Sequence, residues 1–179
     1  MNSGKKFENL FKKSVPEYCL YYRLIDPPQS FIKNNALRFS WKNPCDIFLF
    51  DSKNYVFYTL ELKSTKQKSF SFEDVNLGKA QTPKMIHYHQ ILSLEKFDKF
   101  DHVISGFIFN FRNEIKGTEK TYFQSISNFN KMISLINKKS FNENDLKENN
   151  GIEIIGYKKR INYTWDINSF LLSNIKNFN

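Results

Sequence analysis

The sequence has 179 residues, of which 40% are hydrophobic, and a chain of this length folds as one domain that buries roughly two-thirds of its unfolded surface. The formal charge of +9 favours a polyanionic partner, nucleic acid above all, and excludes an acidic, solvating chain. An aromatic content of 17% excludes intrinsic disorder and favours a packed, β-rich core.

The sequence also lacks the marks of membrane and secreted proteins. No run approaches the roughly 18 consecutive apolar residues of a membrane span, and residues 1–6 form no apolar signal segment. Cys19 and Cys45 have no CxxC spacing and cannot form a disulfide framework, which argues against structural zinc and an oxidising compartment. We therefore expect a cytoplasmic protein whose cysteines are small buried hydrophobes.

The first predicted elements are a helix and a strand. Over residues 5–13, Phe7, Leu10 and Phe11 have the i, i+3, i+4 spacing of an amphipathic helix. The Tyr-, Leu- and Ile-rich run 18–25 predicts a strand, which the following pair of prolines ends.

A hairpin follows a variable loop or arm over residues 26–43. Its two strands are predicted over 47–50 and 55–62, and the residues between them have the composition of a turn. A turn centred on Lys53-Asn54 pairs residues whose numbers sum to 107.

The remaining chain alternates between further helices and strands, which favours a mixed α/β core in one domain, 1–179. In chain order we predict a polar loop (64–83), a helix (84–94), a buried strand (103–111), a strand (122–126), a helix (129–136), a polar excursion (142–150), a strand (152–155), a basic segment (157–163) and a helix from 166.

The second strand of the hairpin carries the residues of chemical interest. Because side chains alternate along a strand, Leu60 and Leu62 enter the core while Glu61 and Lys63 share the other face. In the predicted register Asp46 lies opposite Glu61, with Cβ atoms about 4.5–5.5 Å apart. Like charges at that distance are destabilising unless a positive charge lies between them.

A divalent cation with oxygen ligands, typically Mg²⁺, would relieve the repulsion between Asp46 and Glu61. Lys63 completes a cluster suited to positioning a hydrolytic water on a phosphodiester. The alternative is that this strand face is an ordinary solvated surface. The predicted register and the basic charge favour the catalytic interpretation.

Several motifs occur in a fixed order along nearly the whole chain. They are Gly4-Lys5-Lys6-Phe7-Glu8, Asn43-Pro44-Cys45-Asp46, Leu60-Glu61-Leu62-Lys63-Ser64, Lys68-Ser69-Phe70, His89-Gln90-Ile91-Leu92-Ser93-Leu94 and Gly156-Tyr157-Lys158-Lys159-Arg160-Ile161-Asn162-Tyr163. In this order they resemble the RecU family of Holliday-junction resolvases, within the PD-(D/E)xK nuclease superfamily.

The resemblance implies a role for each matching residue. Asp46 and Glu61 would ligate Mg²⁺, with Mn²⁺ able to substitute, and Glu8 would add a carboxylate to the metal site or its surroundings. Lys63 would align or help deprotonate the attacking water. Gln90 would orient a ligand or the scissile phosphate.

The resemblance also implies a restriction-endonuclease-like α/β fold, a mixed central sheet flanked by helices, and a homodimer that cuts a four-way junction symmetrically. Two departures are visible. Cys45 separates Pro44 from Asp46, and the stalk-like segment, about 26–43, is short for the family. The short segment predicts a smaller, phage-type member with a looser preference for branched DNA.

Two other functions remain open. One is a restriction or repair nuclease of the same fold, and the other is a non-catalytic DNA-binding protein that modulates a recombinase. In each case DNA is the partner, and a recombinase is a further candidate.

Basic and aromatic residues outside the hairpin are candidates for DNA contacts. The candidates are Lys66, Lys68, Arg38, Trp41, Lys158, Lys159 and Arg160. Only four of the 27 basic residues are arginine, which favours backbone over base recognition, although a low-GC coding bias would give the same balance. The alternatives are a solvated run for the last three and plain packing for Trp41. His87 and His89 are weak metal candidates, because their spacing on a helix would point them apart.

Overall fold

The computed structural model describes residues 3–25, 43–73, 82–113 and 115–175. Its helices are α1 (Ser3–Ser14), α2 (Tyr88–Phe97), α3 (Ile126–Leu135), α4 (Glu143–Glu148) and α5 (Ile167–Ile175). Its strands are β1 (Cys19–Arg23), β2 (Ile47–Asp51), β3 (Val56–Thr65), β4 (Ser69–Ser71), β5 (Val103–Asn113), β6 (Thr118–Ser125), β7 (Ser140–Asn142), β8 (Ile152–Ile154), β9 (Gly156–Lys158) and β10 (Tyr163–Trp165). The predicted stalk-like segment, with Arg38 and Trp41, lies outside the described residues apart from Asn43.

A mixed sheet forms the centre of the fold. Its described strands have the order β1-β2-β3-β5-β6-β8; β3 and β5 are parallel, and the other described pairings are antiparallel. Helices cover both faces of the sheet, so β5 is buried over most of its length on both sides. The prediction of a mixed central sheet flanked by helices is confirmed.

The first face of the sheet packs against α1 and α5. Phe7 and Phe11, four residues apart on α1, lie against Trp165 of β10, with the Phe7 and Trp165 ring centroids 5.1 Å apart. Leu60 and Leu62 of β3 belong to this core, as the alternation predicted.

The second face is covered by α2, α3, α4 and the small sheet of β4 and β7. Its core is rich in phenylalanine, and Phe70 of β4 contacts Phe109 and Phe111 of β5. The predicted helix 84–94 begins later, at Tyr88, where His87 caps it in an extended conformation.

Three further predictions are wrong in part. The polar excursion 142–150 contains α4, because Asn142 and Asp145 form a reciprocal capping box and Leu146 is buried. The loop 64–83 contains β4, which pairs with β7. The basic segment 157–163 includes β9 and the start of β10, which pair antiparallel.

No helix among the described residues has both the length and the apolar character needed to span a bilayer. Cys19 and Cys45 are both free thiols; Cys45 is buried and Cys19 is half-buried.

Candidate active site

The site forms where β3 continues beyond the end of β2. The predicted register is confirmed, because Ile47 pairs with Leu60 and the following pairs keep the same sum of residue numbers. Asp46 lies one residue before β2, and its N–H still donates to the Leu60 carbonyl at 3.2 Å. Its Oδ2 accepts a hydrogen bond from the Leu62 N–H at 2.7 Å, so the carboxylate satisfies a β3 donor that β2 no longer reaches.

The carboxyl groups of Asp46 and Glu61 lie within hydrogen-bonding reach of each other. Glu61 is only 4% exposed, so its strand face is not the solvated surface of the alternative interpretation. Burial raises the pKa of Glu61 to about 7, and the Asp46 charge adds to the rise while Lys63 opposes it. Burial also raises the pKa of Asp46, against the lowering effect of the Leu62 N–H. A proton held between the two carboxyl groups would account for this contact.

Two further side chains hold Glu61 in place. Lys63 Nζ lies 3.0 Å from Glu61 Oε1, and the Gln90 side-chain amide donates to the same oxygen. Gln90 is fixed in turn, because its Oε1 accepts from the His87 N–H at 3.0 Å in the first turn of α2. The structure therefore brings together four of the predicted catalytic residues: Asp46, Glu61, Lys63 and Gln90.

Glu8 lies beside this group and is bound to an arginine that the sequence did not indicate. Arg23 Nη2 of β1 is 2.7 Å from Glu8 Oε2. Burial raises the pKa of Glu8; Arg23 opposes the rise, and the nearby Asp46 charge adds to it. Arg23 could have been identified from the register between β1 and β2, because β1 pairs it with Ile47, next to Asp46.

The carboxylate oxygens at this site suit a hard divalent cation that takes only part of its coordination shell from the protein. Within the described ranges, no three His, Cys, Asp or Glu side chains are arranged to hold a metal, and Glu8 is engaged by Arg23. Asp46 and Glu61 nevertheless provide two oxygen donors whose contact requires either a proton or a cation. Mg²⁺ commonly binds through one or two carboxylates and keeps several waters, which matches this pair.

The DNA-binding candidates that the structure describes lie outside the group formed by the carboxylates. Lys66 and Lys68 are exposed on the turn between β3 and β4. Lys158, Lys159 and Arg160 are exposed at the end of β9 and the following turn, and Lys158 Nζ donates to the Gly117 carbonyl at 3.0 Å.

The expectation that the two histidines point apart is wrong. The rings of His87 and His89 stack with centroids 5.5 Å apart, because His87 precedes α2 in an extended conformation. His87 Nδ1 lies 3.4 Å from the buried carboxylate of Glu73.

Comparisons with known proteins identify a sequence relative and a structural neighbour, among others. No family model matches the chain. The solved structure of Hjc from Archaeoglobus fulgidus, described as a Holliday junction resolvase from an archaeal hyperthermophile, has a TM-score of 0.49 and 12% identity, covering 83% of this chain and 93% of that one. The "SPbeta prophage-derived uncharacterized protein YotM" of Bacillus subtilis (strain 168) is 34% identical, over 93% of this chain and 84% of that protein. Membership of the RecU family stays a prediction. The chain belongs to the same protein family as YotM.

Proposed function

We propose that this protein is a Mg²⁺-dependent endodeoxyribonuclease that cleaves branched DNA, with four-way junctions as its main substrate. The observation that carries the proposal is the Asp46–Glu61 carboxyl pair with Lys63 Nζ 3.0 Å from Glu61. Buried acids in contact, with an amine beside them, provide a cation site and a charged donor for the same phosphate.

Each residue has a separate task in this proposal. Asp46 and Glu61 would hold Mg²⁺, which supplies charge neutralisation at the phosphate, and Mn²⁺ would substitute. Lys63 positions the attacking water and stabilises the charge that develops on the phosphate oxygens. Gln90 keeps Glu61 Oε1 in a fixed orientation.

Glu8 has a supporting task next to these residues. Glu8 places a carboxyl group close to Asp46, and Arg23 opposes the rise that burial causes in the pKa of Glu8. In its ionised form Glu8 would attract a cation, and its ion pair with Arg23 offsets part of that attraction.

The buried position of Glu61 favours an enzyme over a non-catalytic DNA-binding protein. A binding surface gains nothing from a carboxyl pair whose burial opposes ionisation and whose charge repels phosphate. A restriction or repair nuclease with the same site differs only in substrate. The motif resemblance and the prophage origin of YotM favour the processing of branched DNA during phage growth or recombination.

The proposal also covers the oligomeric state of the enzyme, its protein partner and its cellular compartment. A homodimer would present two sites to the two-fold symmetric junction. A recombinase is the partner expected for a junction-cleaving enzyme, and the cytoplasm is the compartment where both would meet DNA.

The test is cleavage of matched four-way, three-way, flap and linear duplex DNAs. Mg²⁺ or Mn²⁺ should support cleavage of the branched substrates, and EDTA should abolish it. Glu61→Gln should bind the junction without cutting it, while the control Lys99→Ala, an exposed residue before β5, should cut like wild type. The proposal fails if no metal supports cleavage, or if Glu61→Gln cuts at the wild-type rate.

A further inference from the structure

A strongly basic cavity of about 780 Å³ lies at the end of β5, away from the carboxylate pair. The turn between β3 and β4 forms one wall and the β5–β6 hairpin forms the other. Five basic side chains line it: Lys66, Lys68, Arg112, Lys116 and Lys120. Among its described lining residues, Glu143 is the one acid.

The positive charge continues on the other side of the same hairpin. A second cavity, of about 240 Å³, shares Arg112 with the first and adds Lys6 and Lys158. The Lys158 Nζ hydrogen bond to Gly117 fixes this lysine against the hairpin. The hairpin is therefore flanked by cationic groups on both sides. Three described acids offset part of this field: Glu143 lines the first cavity, Glu119 lines the second, and Glu153 binds Lys120 at 2.8 Å.

The first cavity is tied to the catalytic strand by a side-chain contact. Arg112 Nε donates to Ser64 Oγ at 2.9 Å, and Ser64 follows Lys63 in β3. At about 3.3 Å per residue, the five residues from Glu61 to Lys66 span roughly 16 Å. For a duplex arm that runs parallel to β3, with a rise of about 3.4 Å per base pair, this distance corresponds to about five base pairs.

We propose that this basic cavity binds the phosphate backbone of the duplex arm beside the cut, about five base pairs from the scissile phosphate. The inference deepens the proposed function and depends on it for the position of the cut. Lysines on opposing walls suit a continuous polyanion, and their dominance over arginine favours backbone recognition.

Salt dependence of binding tests the cavity independently of cleavage. The triple variant Lys66→Ala/Lys68→Ala/Lys116→Ala removes three exposed charges, and Lys96→Ala/Lys99→Ala/Lys131→Ala is the matched control. Junction binding is measured by fluorescence anisotropy in EDTA over a series of salt concentrations. Each phosphate contact contributes roughly 0.9 to the slope of log affinity against log salt, so the cavity variant should be shallower by about 3 and the control unchanged.

A conservative variant and a set of shortened arms complete the test. Lys66→Arg/Lys68→Arg/Lys116→Arg should restore the wild-type slope, because the charge is kept. Wild-type affinity should rise as the arm is lengthened past about five base pairs, while the alanine variant should show no such rise.

The outcomes separate this inference from the proposed function. Equal slopes for the cavity variant and its control would overturn the cavity assignment even if the junction is cut. An arm-length dependence unchanged in the alanine variant would overturn its position. A shallower slope for a protein that cuts no DNA would keep the phosphate site and reject the nuclease.

Discussion

Asp46 Oδ2 and the Leu62 N–H form a 2.7 Å hydrogen bond that joins the residue before β2 to the part of β3 that β2 does not pair. The bond fixes the Asp46 carboxyl beside that of Glu61. Asp46 thus has two roles. It accepts the hydrogen bond of a β3 N–H that β2 does not pair, and it supplies one of the two carboxyl groups of the candidate cation site.

Substitutions of Asp46 should separate these two roles. Asp46→Asn keeps an oxygen acceptor for the Leu62 N–H, whereas Asp46→Ala leaves this donor without its partner. We expect the alanine variant to be less stable than the asparagine variant by about 1–3 kcal/mol in urea denaturation. Both variants should fail to cut junctions but should still bind them. Equal stability of the two variants would show that the hydrogen bond contributes little.

The carboxyl pair should make stability depend on pH in the absence of metal. The pKa of Glu61 is raised in the folded state from an ordinary 4.5 to about 7, so its stabilising contribution is complete below about pH 4.5 and is lost as pH rises through 7. The loss from this group is at most about 3 kcal/mol. Urea denaturation in EDTA from pH 5 to pH 8 measures it.

Two controls identify the source of this pH dependence. Glu61→Gln should flatten the curve, because the titrating group is gone. Mg²⁺ should stabilise the wild-type protein more at pH 8 than at pH 5, because the ionised pair binds the cation. A wild-type curve that is already flat in EDTA would contradict the raised pKa of Glu61.

Removal of the Lys63 amine should stop catalysis without preventing metal binding. Lys63→Ala removes the charge 3.0 Å from Glu61 Oε1 but neither candidate ligand. We expect cleavage to be lost while titration calorimetry still detects Mg²⁺ binding. The pKa of Glu61 should also rise further, because Lys63 lowers it in the wild type. Near wild-type cleavage by this variant would exclude Lys63 from the reaction.

The edge of the sheet favours the predicted homodimer. Leu20 and Tyr22 are exposed on β1, which has β2 as its only described strand neighbour. Light scattering without DNA should report about twice 21.4 kDa. Leu20→Glu/Tyr22→Glu should give a monomer, whereas Leu135→Glu, at an exposed site on α3, should remain dimeric.

Mixed dimers link this assembly to catalysis. Wild-type subunits combined with Glu61→Ala subunits should nick the junction on one strand, because each chain supplies one site. A stable wild-type monomer that makes both cuts in a single encounter would contradict the dimer prediction.

Register was the most informative feature of the sequence. The turn at Lys53-Asn54 was enough to predict the Ile47–Leu60 pair, and hence the neighbourhood of Asp46 and Glu61. Burial of Glu61 could not be predicted in this way, because alternation assigns a residue to a face without showing that α2 covers that face. The β9–β10 pair could not be predicted, because strands of three residues are too short to show the alternation of apolar and polar side chains.

The parallel pairing of β3 with β5 joins residues 46 positions apart in the chain. Such non-local contacts form slowly, on a timescale of roughly milliseconds to seconds, after the loop between the strands has closed. The carboxyl pair also needs α2 in place, since Gln90 reaches Glu61 from that helix. A partly folded chain therefore has no assembled site, so the proposed cleavage requires the complete tertiary structure.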